Sequence, residues 1–311
     1  MKYTPKDIAT ILGLPAVNAD GIVVEQLLTD SRKLVFPAQT LFFALPGPRR
    51  DGHDFIESLY DQGVRCFVVD AQKMNLTKCK DYCTGAIFFE VPNCLDALQQ
   101  IAAHHRSMFN MPVIGITGSN GKTIVKEWLY QLLHTSFNIV RSPRSFNSQI
   151  GVPISVWLLR PDTEMAIFEA GISTVNEMVN LQRIIQPTIG ILSNIGSAHN
   201  EGFHDAGEKI KEKLKLFSSV AVLIMNKNRT IEAFLNPKIK TFTWSSEDGK
   251  ADVFVIAKES SDKTELKITF QKLCFKITIP FADQASIENA LQCLMVMLYF
   301  KYDQDVIQQR M

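Results

Sequence analysis

A glycine-rich turn between an apolar run and an amphipathic segment constrains this chain most. Residues 114–123 read IGITGSNGKT, and the apolar run that enters the turn is typical of a buried strand. Glycines let backbone N–H groups approach a phosphate, while a lysine neutralises its oxygens and a threonine hydroxyl can bind Mg²⁺. The first glycine of the generic P-loop falls at Ile116, which Gly115 and Gly118 flank. The pattern predicts a nucleoside triphosphate site formed by Gly118, Ser119, Asn120, Gly121, Lys122 and Thr123.

Length, charge and cysteine content limit the class of protein. A chain of 311 residues with 46% hydrophobic and 21% charged residues is typical of two globular domains. A net charge of +1 provides no strong field to recruit nucleic acid or an anionic membrane, and no apolar run is long enough to span a bilayer. The six cysteines form no CxxC pair, which indicates reduced thiols and a cytoplasmic location.

The first predicted domain covers residues 1–108. Strand-like runs occur at 40–45, 66–69 and 86–91, with helical periodicity at 55–62 and 95–106. His104 and His105 lie on the last of these helices and are predicted to be solvated.

The second predicted domain, residues 109–311, begins with alternating strands and helices. Short apolar runs at 113–117, 166–169, 189–193 and 221–225 predict a mostly parallel sheet with helices on both faces, and therefore an α/β fold. Ligands gather at the carboxyl ends of such strands, where the P-loop, Glu169 and Asn194 fall and where His199 follows.

The last seventy residues have a different pattern. Alternation at 241–244, 252–258, 265–271 and 273–279 predicts an antiparallel meander. Residues 285–300 are apolar nearly all round and predict a buried final helix.

Four further segments carry a family resemblance together with the P-loop. They are DSR at 30–32, SFNSQIGVP at 145–153, FEAGI at 168–172 with NEM at 176–178, and SNIGSAHNEGF at 193–203. In this order, over about residues 29–291, they resemble the Mur ligases of peptidoglycan synthesis. Among these the resemblance is closest to the MurF type, UDP-N-acetylmuramoyl-tripeptide–D-alanyl-D-alanine ligase.

The resemblance implies a small α/β domain that binds the UDP-sugar substrate, followed by a P-loop ATPase-type domain. ATP would phosphorylate the terminal carboxylate of the UDP-linked tripeptide, and the amine of D-Ala-D-Ala would attack the acyl phosphate. Lys122 would hold the β and γ phosphates. Thr123 and Glu169 would bind one Mg²⁺, and His199 would serve a second Mg²⁺.

The family also places a carbamylated lysine beside the second ion. Counting along the helix that follows His199 assigns this position to Lys213, with Lys211 as the rival. The usual acidic residue two places further on is Lys215 in this chain.

Other roles implied by the resemblance concern the two substrates. Ser31 and Arg32 would contact the uridine diphosphate, because the planar fork of arginine donors suits a pyrophosphate. Asn147 would orient Mg²⁺ or the substrate carboxylate, although the neighbouring family asparagine is Ser148 here. Asn289 would flank the adenine, unless it is a simple helix cap.

The resemblance also leaves alternatives open. Mur ligases have a third, Rossmann-like C-terminal domain that closes over ATP, and the residues here end where the central domain would end. We therefore expect a truncated part of a longer polypeptide, monomeric and weakly active by itself. The alternatives are another Mur-superfamily ligase, acting on a different UDP-muramyl peptide or on folate, and a non-catalytic nucleotide-binding protein.

Overall fold

The computed structural model describes residues 1–17, 19, 21–47, 50–72, 76–196 and 202–311, and it divides into two compact units. Unit 1 comprises Met1–Phe109 with Val156–Pro161, and unit 2 comprises Asn110–Ser155 with Asp162–Met311. The short return segment was not anticipated from the sequence. It is held in unit 1 by Trp157, whose indole Nε1 donates to the Glu25 carbonyl at 2.9 Å.

Unit 1 is built on a four-stranded, all-parallel sheet. Its strand order is β1-β2-β3-β4, and aromatic and aliphatic side chains of the sheet form a buried core with helix α2. The elements are α1 (Pro5–Leu12), β1 (Gln26–Leu28), β2 (Thr40–Phe43), α2 (Ile56–Asp61), β3 (Cys66–Asp70), α3 (Leu76–Tyr82), β4 (Ile87–Val91) and α4 (Cys94–Ser107).

Unit 2 contains a nine-stranded sheet in the order β13-β12-β11-β10-β9-β8-β5-β7-β6. The strands are β5 (Val113–Thr117), β6 (Ile139–Arg141), β7 (Met165–Glu169), β8 (Ile189–Leu192), β9 (Val222–Asn226), β10 (Thr241–Ser245), β11 (Val253–Glu259), β12 (Thr264–Phe270) and β13 (Leu273–Ile279). The helices are α5 (Lys122–Leu133), α6 (Gly151–Val156), α7 (Glu177–Ile185), α8 (Ala206–Leu214), α9 (Arg229–Glu232), α10 (Gln284–Tyr299) and α11 (Gln304–Arg310).

The α/β class and the mostly parallel sheet are confirmed. Strands β5, β7 and β8 are buried along their whole length, which explains why they read as continuous apolar runs rather than as alternating ones. Helix α10 has eleven buried residues, and nine of them belong to the hydrophobic core that β5, β7 and β8 also form, as the apolar character of residues 285–300 predicts. No helix among the described residues is both long and apolar enough to cross a bilayer.

The predicted four-stranded meander is wrong for its first strand. β10 pairs in parallel with β9 and with β11, so that among the described strands of this sheet only the pairs β11–β12 and β12–β13 are antiparallel. The sequence of β10 alternates between polar and apolar residues, and such alternation carries no information on strand direction.

His105 of α4 is fully buried, contrary to the predicted solvent exposure, whereas its neighbour His104 is exposed. Nε2 of His105 lies 3.2 Å from the Leu159 carbonyl, which can only accept, so this nitrogen carries the proton. Nδ1 then accepts from the Tyr3 hydroxyl at 2.9 Å. The neutral imidazole is therefore fully hydrogen-bonded, and burial lowers the pKa of His105 to about 4, with the Leu159 hydrogen bond opposing this shift.

The stability of the protein should therefore fall as the pH decreases from the ordinary histidine pKa of 6.5 towards about 4. In this window the unfolded chain binds a proton at His105 that the folded chain does not, so the free energy of unfolding rises with pH by up to about 1.4 kcal/mol per pH unit. Urea unfolding followed by tryptophan fluorescence should show a shallower pH dependence for His105→Gln, whose amide keeps one donor and one acceptor. His104→Gln is the matched control and should retain the wild-type slope. Equal slopes for wild type and His105→Gln would contradict the lowered pKa of His105 in the folded protein.

Candidate nucleotide and substrate site

The glycine-rich turn joins β5 to α5 and is fixed against the segment that follows β8. The Ser119 amide donates to the Asn194 carbonyl at 2.8 Å, and the Asn120 amide donates to Asn194 Oδ1 at 2.9 Å. Ser119 Oγ exchanges two hydrogen bonds with the backbone of Gly196, at 3.0 and 3.2 Å. The loop is therefore held at the carboxyl ends of the neighbouring parallel strands β5 and β8, as the sequence predicts for a parallel sheet.

Two positions in the turn require glycine. Gly118 has φ of 152° and Gly121 has φ of 80°, both in the region that side chains rarely occupy. A Cβ at Gly118 would collide with Ser193 Oγ, and a Cβ at Gly121 would collide with Asn289 Oδ1. Asn289 is consequently packed on the turn, while the cap of α10 is Asp283, whose carboxylate accepts from the Ser286 amide. The reading of Asn289 as a simple cap is therefore wrong.

Glu169, the last residue of β7, is fully buried and lies beside the start of α5. Its Oε2 accepts from Thr123 Oγ1 at 2.9 Å and from Asn147 Nδ2 at 3.3 Å. Its Oε1 lies 2.9 Å from Lys126 Nζ, although no donor among the described residues has hydrogen-bond geometry towards this oxygen. Three of the predicted site residues, Thr123, Asn147 and Glu169, are thus in direct contact.

Lys126 is a member of this cluster that the sequence analysis did not identify. Its side chain is fully buried, and Nζ donates to the carbonyls of Ser142, at 2.8 Å, and of Arg144. The Ser142 hydroxyl in turn accepts from the Glu169 amide at 3.2 Å. The sequence indicates the role of Lys126 only through its position four residues after Lys122, because this spacing places both lysines on one face of α5.

Three lysine ammonium groups lie along the backbone of the turn and of Gly196. Lys122 Nζ donates to Gly118 O at 2.8 Å and to Ser119 O at 3.3 Å. Lys213 Nζ donates to Gly118 O at 3.1 Å, and Lys209 Nζ donates to Gly196 O at 2.7 Å. Lys209 and Lys213 are nearly fully buried, one turn apart on α8. This accumulation of positive charge suits a polyanionic ligand.

Burial and mutual repulsion lower the pKa values of these amines. Burial lowers the pKa of Lys213 to about 8, and the charges of Lys122 and Lys209 add to this effect. Burial also lowers the pKa of Lys122, while the carboxylate of Glu169 acts in the opposite direction. Lys211, the rival of Lys213, is exposed, with its ammonium 5.2 Å from the centre of the Phe234 ring.

The remaining predicted residues fall elsewhere. Ser31 and Arg32 belong to unit 1, in a short 3₁₀ helix capped by Asp30. The exposed guanidinium of Arg32 forms two hydrogen bonds of 2.8 Å to the Asp30 carboxylate.

His199 lies outside the described residues. Lys215, the departure from the family pattern, pairs with Glu212 at 2.5 Å, and Glu212 also accepts from the Met178 amide.

The donor set fits Mg²⁺. Octahedral Mg²⁺ binds oxygens at 2.0–2.1 Å, so two adjacent ligands lie about 2.9 Å apart. The oxygens of Thr123 and Glu169 already have this separation. Among the described residues no group of three or more His, Cys, Asp or Glu side chains could hold a metal ion.

Comparison with known proteins identifies the family. The model of the Mur ligase middle domain matches residues 116–297, and that of the Mur ligase family catalytic domain matches residues 23–106. UDP-N-acetylmuramoyl-tripeptide–D-alanyl-D-alanine ligase of Borreliella burgdorferi is 30% identical over 273 residues, covering 84% of this chain and 57% of the relative. The ligase of the same name from Bacillus subtilis is 28% identical and covers 96% of this chain and 64% of the relative.

Solved structures have the same fold. MurF from Acinetobacter baumannii superposes with a TM-score of 0.84 at 21% identity, over 100% of this chain and 68% of that chain. MurF from Thermotoga maritima in complex with ADP gives 0.78 at 23% identity, over 91% of this chain and 65% of that one. This chain therefore spans 57% and 64% of the length of the ligases from Borreliella burgdorferi and Bacillus subtilis. With the middle-domain match covering more than half of its residues, the chain belongs to the Mur ligase family.

Proposed function

We propose that this chain provides the nucleotide-binding and UDP-substrate units of an ATP-dependent ligase that joins D-Ala-D-Ala to UDP-N-acetylmuramoyl-tripeptide. The observation that carries the proposal is the contact of Thr123 with Glu169 beside a P-loop along which Lys122, Lys209 and Lys213 accumulate positive charge. Relatives named for this reaction, one of them 30% identical over 84% of the chain, support the choice of substrates.

The proposed reaction consists of two group transfers. A carboxylate oxygen of the tripeptide attacks the γ-phosphorus of ATP, ADP leaves, and an acyl phosphate forms. The amine of D-Ala-D-Ala then attacks the acyl carbon, loses a proton, and expels inorganic phosphate as the amide forms. Such chemistry depends mainly on positioning and on neutralisation of negative charge.

The residues of the P-loop would supply that neutralisation. Lys122 would exchange the carbonyls of Gly118 and Ser119 for the β and γ phosphate oxygens, and the N-terminus of α5 would face the same anion. Thr123 and Glu169 would hold Mg²⁺, which when bound neutralises phosphate charge. Lys126 would act as a positioning residue, because it fixes Oε1 of Glu169 and leaves Oε2 directed at Thr123. Asn289 would flank the adenine.

Lys213 is the residue that we propose to be carbamylated. A neutral amine adds CO₂ to give a carbamate and releases one proton, and an amine with a pKa of about 8 is about one-tenth neutral at pH 7. The carbamate would turn a cation beside Gly118 into an oxygen ligand for a second Mg²⁺, to which His199 would also contribute.

The UDP end of the substrate would bind in unit 1 at Ser31 and Arg32. Arg32 is well exposed, and its bidentate contact with Asp30 has the geometry that a pyrophosphate would use instead.

All six cysteines are free thiols, which supports a reducing cytoplasmic location.

Calorimetric titration with UDP-N-acetylmuramoyl-tripeptide tests the substrate class. We expect micromolar binding that UDP competes away, with weaker binding of the UDP-muramyl dipeptide and none of dihydrofolate. Arg32→Ala should weaken binding about tenfold, since charge-assisted hydrogen bonds contribute about 1.5–3 kcal/mol. Arg50→Ala is a control arginine in the same unit. Binding of MgATP without binding of any muramyl nucleotide would contradict the assigned substrate.

Thr123→Val tests the metal site, because valine preserves shape and removes the hydroxyl. We expect affinity for MgATP to fall about tenfold, or about 1.4 kcal/mol, while affinity for ATP in EDTA remains within twofold of wild type. The exposed Thr135→Val is the matched control. An equal loss with and without Mg²⁺ would indicate that Thr123 contributes to packing rather than to the ion.

Labelling with ¹³CO₂ tests the carbamate. Wild type should show one carbamate resonance that grows as the pH rises through about 8, since protonation of the Lys213 amine prevents the addition. Lys213→Met should abolish this resonance and Lys211→Met should retain it. The reverse pattern would assign the modification to Lys211.

A further inference from the structure

A buried carboxylate next to Lys213 takes no part in the proposed reaction. Glu212 of α8 is only 2% exposed, and both of its oxygens accept hydrogen bonds. Oε1 accepts from the Met178 amide at 3.1 Å, and Oε2 accepts from Lys215 Nζ at 2.5 Å. Such a carboxylate is held in one position, because release of either contact would leave a buried charge without compensation.

The Met178 amide lies in the first turn of α7, where backbone amides have no partner within the helix. Asn176, the residue before this helix, has φ of 68°, and its side chain forms no capping hydrogen bond within the described part of the chain. Glu212 therefore caps α7 from a different helix, with its negative charge at the positive end of the α7 dipole. This contact ties α8 to the start of α7.

The start of α7 is itself fixed to its surroundings. The Glu177 carboxylate accepts from the amides of Ser173 and Thr174, at 2.6 and 3.0 Å. Gln149 Nε2 donates to the Glu177 carbonyl at 3.2 Å. The segments that precede and follow β7 therefore hold the helix end to which Glu212 is bound.

Helix geometry transmits the position of Glu212 to two lysines. Successive residues are turned by about 100° around a helix axis, so Glu212 lies about 100° from Lys213 and about 60° from Lys209. Fixing Glu212 at α7 thus sets the rotation of α8, and with it the direction of both ammonium groups, which donate to the nucleotide-binding turn and to Gly196. Lys211, about 160° from Lys213, is exposed.

Glu212 acts on Lys213 through geometry rather than through charge. Burial lowers the pKa of Lys213, and the charges of Lys122 and Lys209 lower it further. A carboxylate paired with this amine would raise its pKa. The carboxylate of Glu212 is instead directed at Lys215 and at α7, so it holds the amine without neutralising it.

We propose that Glu212 is a positioning residue that fixes α8 against the start of α7 and thereby holds the Lys213 amine at the Gly118 carbonyl. The inference rests on the proposed carbamylation of Lys213 and adds to it the residue that brings this amine to the turn. A lysine on a helix that is free to rotate would return its strongly hydrated ammonium to solvent, because its four-carbon stem is flexible.

Acetylation of individual lysines tests the inference. Wild type and Glu212→Ala are treated with N-hydroxysuccinimidyl acetate in CO₂-free buffer, and the rate at each lysine is measured by mass spectrometry. We expect Glu212→Ala to accelerate acetylation of Lys213 about tenfold, since a hydrogen bond to a charged group is lost. Lys126 is fully buried on another helix, and its rate should not change unless the whole unit loosens.

Glu208→Ala is the matched control on the same helix. The Glu208 carboxylate also accepts from a backbone amide, that of His204 at 2.7 Å, but this residue precedes α8 and does not tie it to α7. The control should acetylate Lys213 at the wild-type rate. In ¹³CO₂, the carbamate resonance should be about tenfold weaker in Glu212→Ala and unchanged in Glu208→Ala.

Glu212→Gln replaces Glu212→Ala if the latter does not fold. Glutamine keeps the volume and one acceptor but loses the charge that strengthens the hydrogen bond to Met178, so we expect about threefold faster acetylation of Lys213. A wild-type rate at Lys213 in the folded variant, or an equal acceleration at Lys126, would overturn the inference. A wild type without a carbamate would overturn the proposed carbamylation, while the acetylation rates would still decide how the amine is held.

Discussion

The buried ion pair between Lys126 and Glu169 is the interaction on which the site depends. Both side chains are fully buried, and their charged atoms lie 2.9 Å apart. Removal of one partner from such a pair typically costs about 3–5 kcal/mol, because the other charge remains without compensation in a medium of low polarity. The pair joins the first turns of α5 to the end of β7, and its contacts with Ser142 and Asn147 add the loop before α6.

This pair also explains the orientation of the P-loop residues. Because Lys126 and Lys122 lie on one face of α5, fixing Lys126 at Glu169 sets the rotation of the helix. Lys122 and Thr123 are then directed at the turn and at the carboxylate. The glycines complete the arrangement, since side chains at Gly118 or Gly121 would displace the segments carrying Ser193 and Asn289. The site is therefore preorganised by charges and close backbone contacts, which limits the rearrangement that ligand binding requires.

The sequence predicted the parts of the fold that local patterns determine. Continuous apolar runs predicted β5, β7 and β8, and the glycine-lysine-threonine turn located the site between β5 and α5. Strands β1 and β6 were missed because three residues carry no measurable periodicity. Lys126 and His105 were missed for a common reason: charged and polar residues on amphipathic helices are usually solvated, and only tertiary contacts reveal which ones are buried. The direction of β10 likewise depends on its partner strands.

The distribution of charge around the turn determines which kind of ligand the site favours. In the structure Lys122, Lys209 and Lys213 donate to the carbonyls of Gly118, Ser119 and Gly196, which bring partial negative charge but no compensating unit charge. Repulsion among the three ammonium groups and their burial both disfavour this state, as the lowered pKa values of Lys122 and Lys213 indicate. A polyphosphate bound at this helix N-terminus would offset both effects, because it would place negative charge beside the three ammonium groups. Burial of the lysines and the repulsion among them thus favour an anionic ligand. A carbamate at Lys213 would relieve the same repulsion, because it would remove one of the three positive charges.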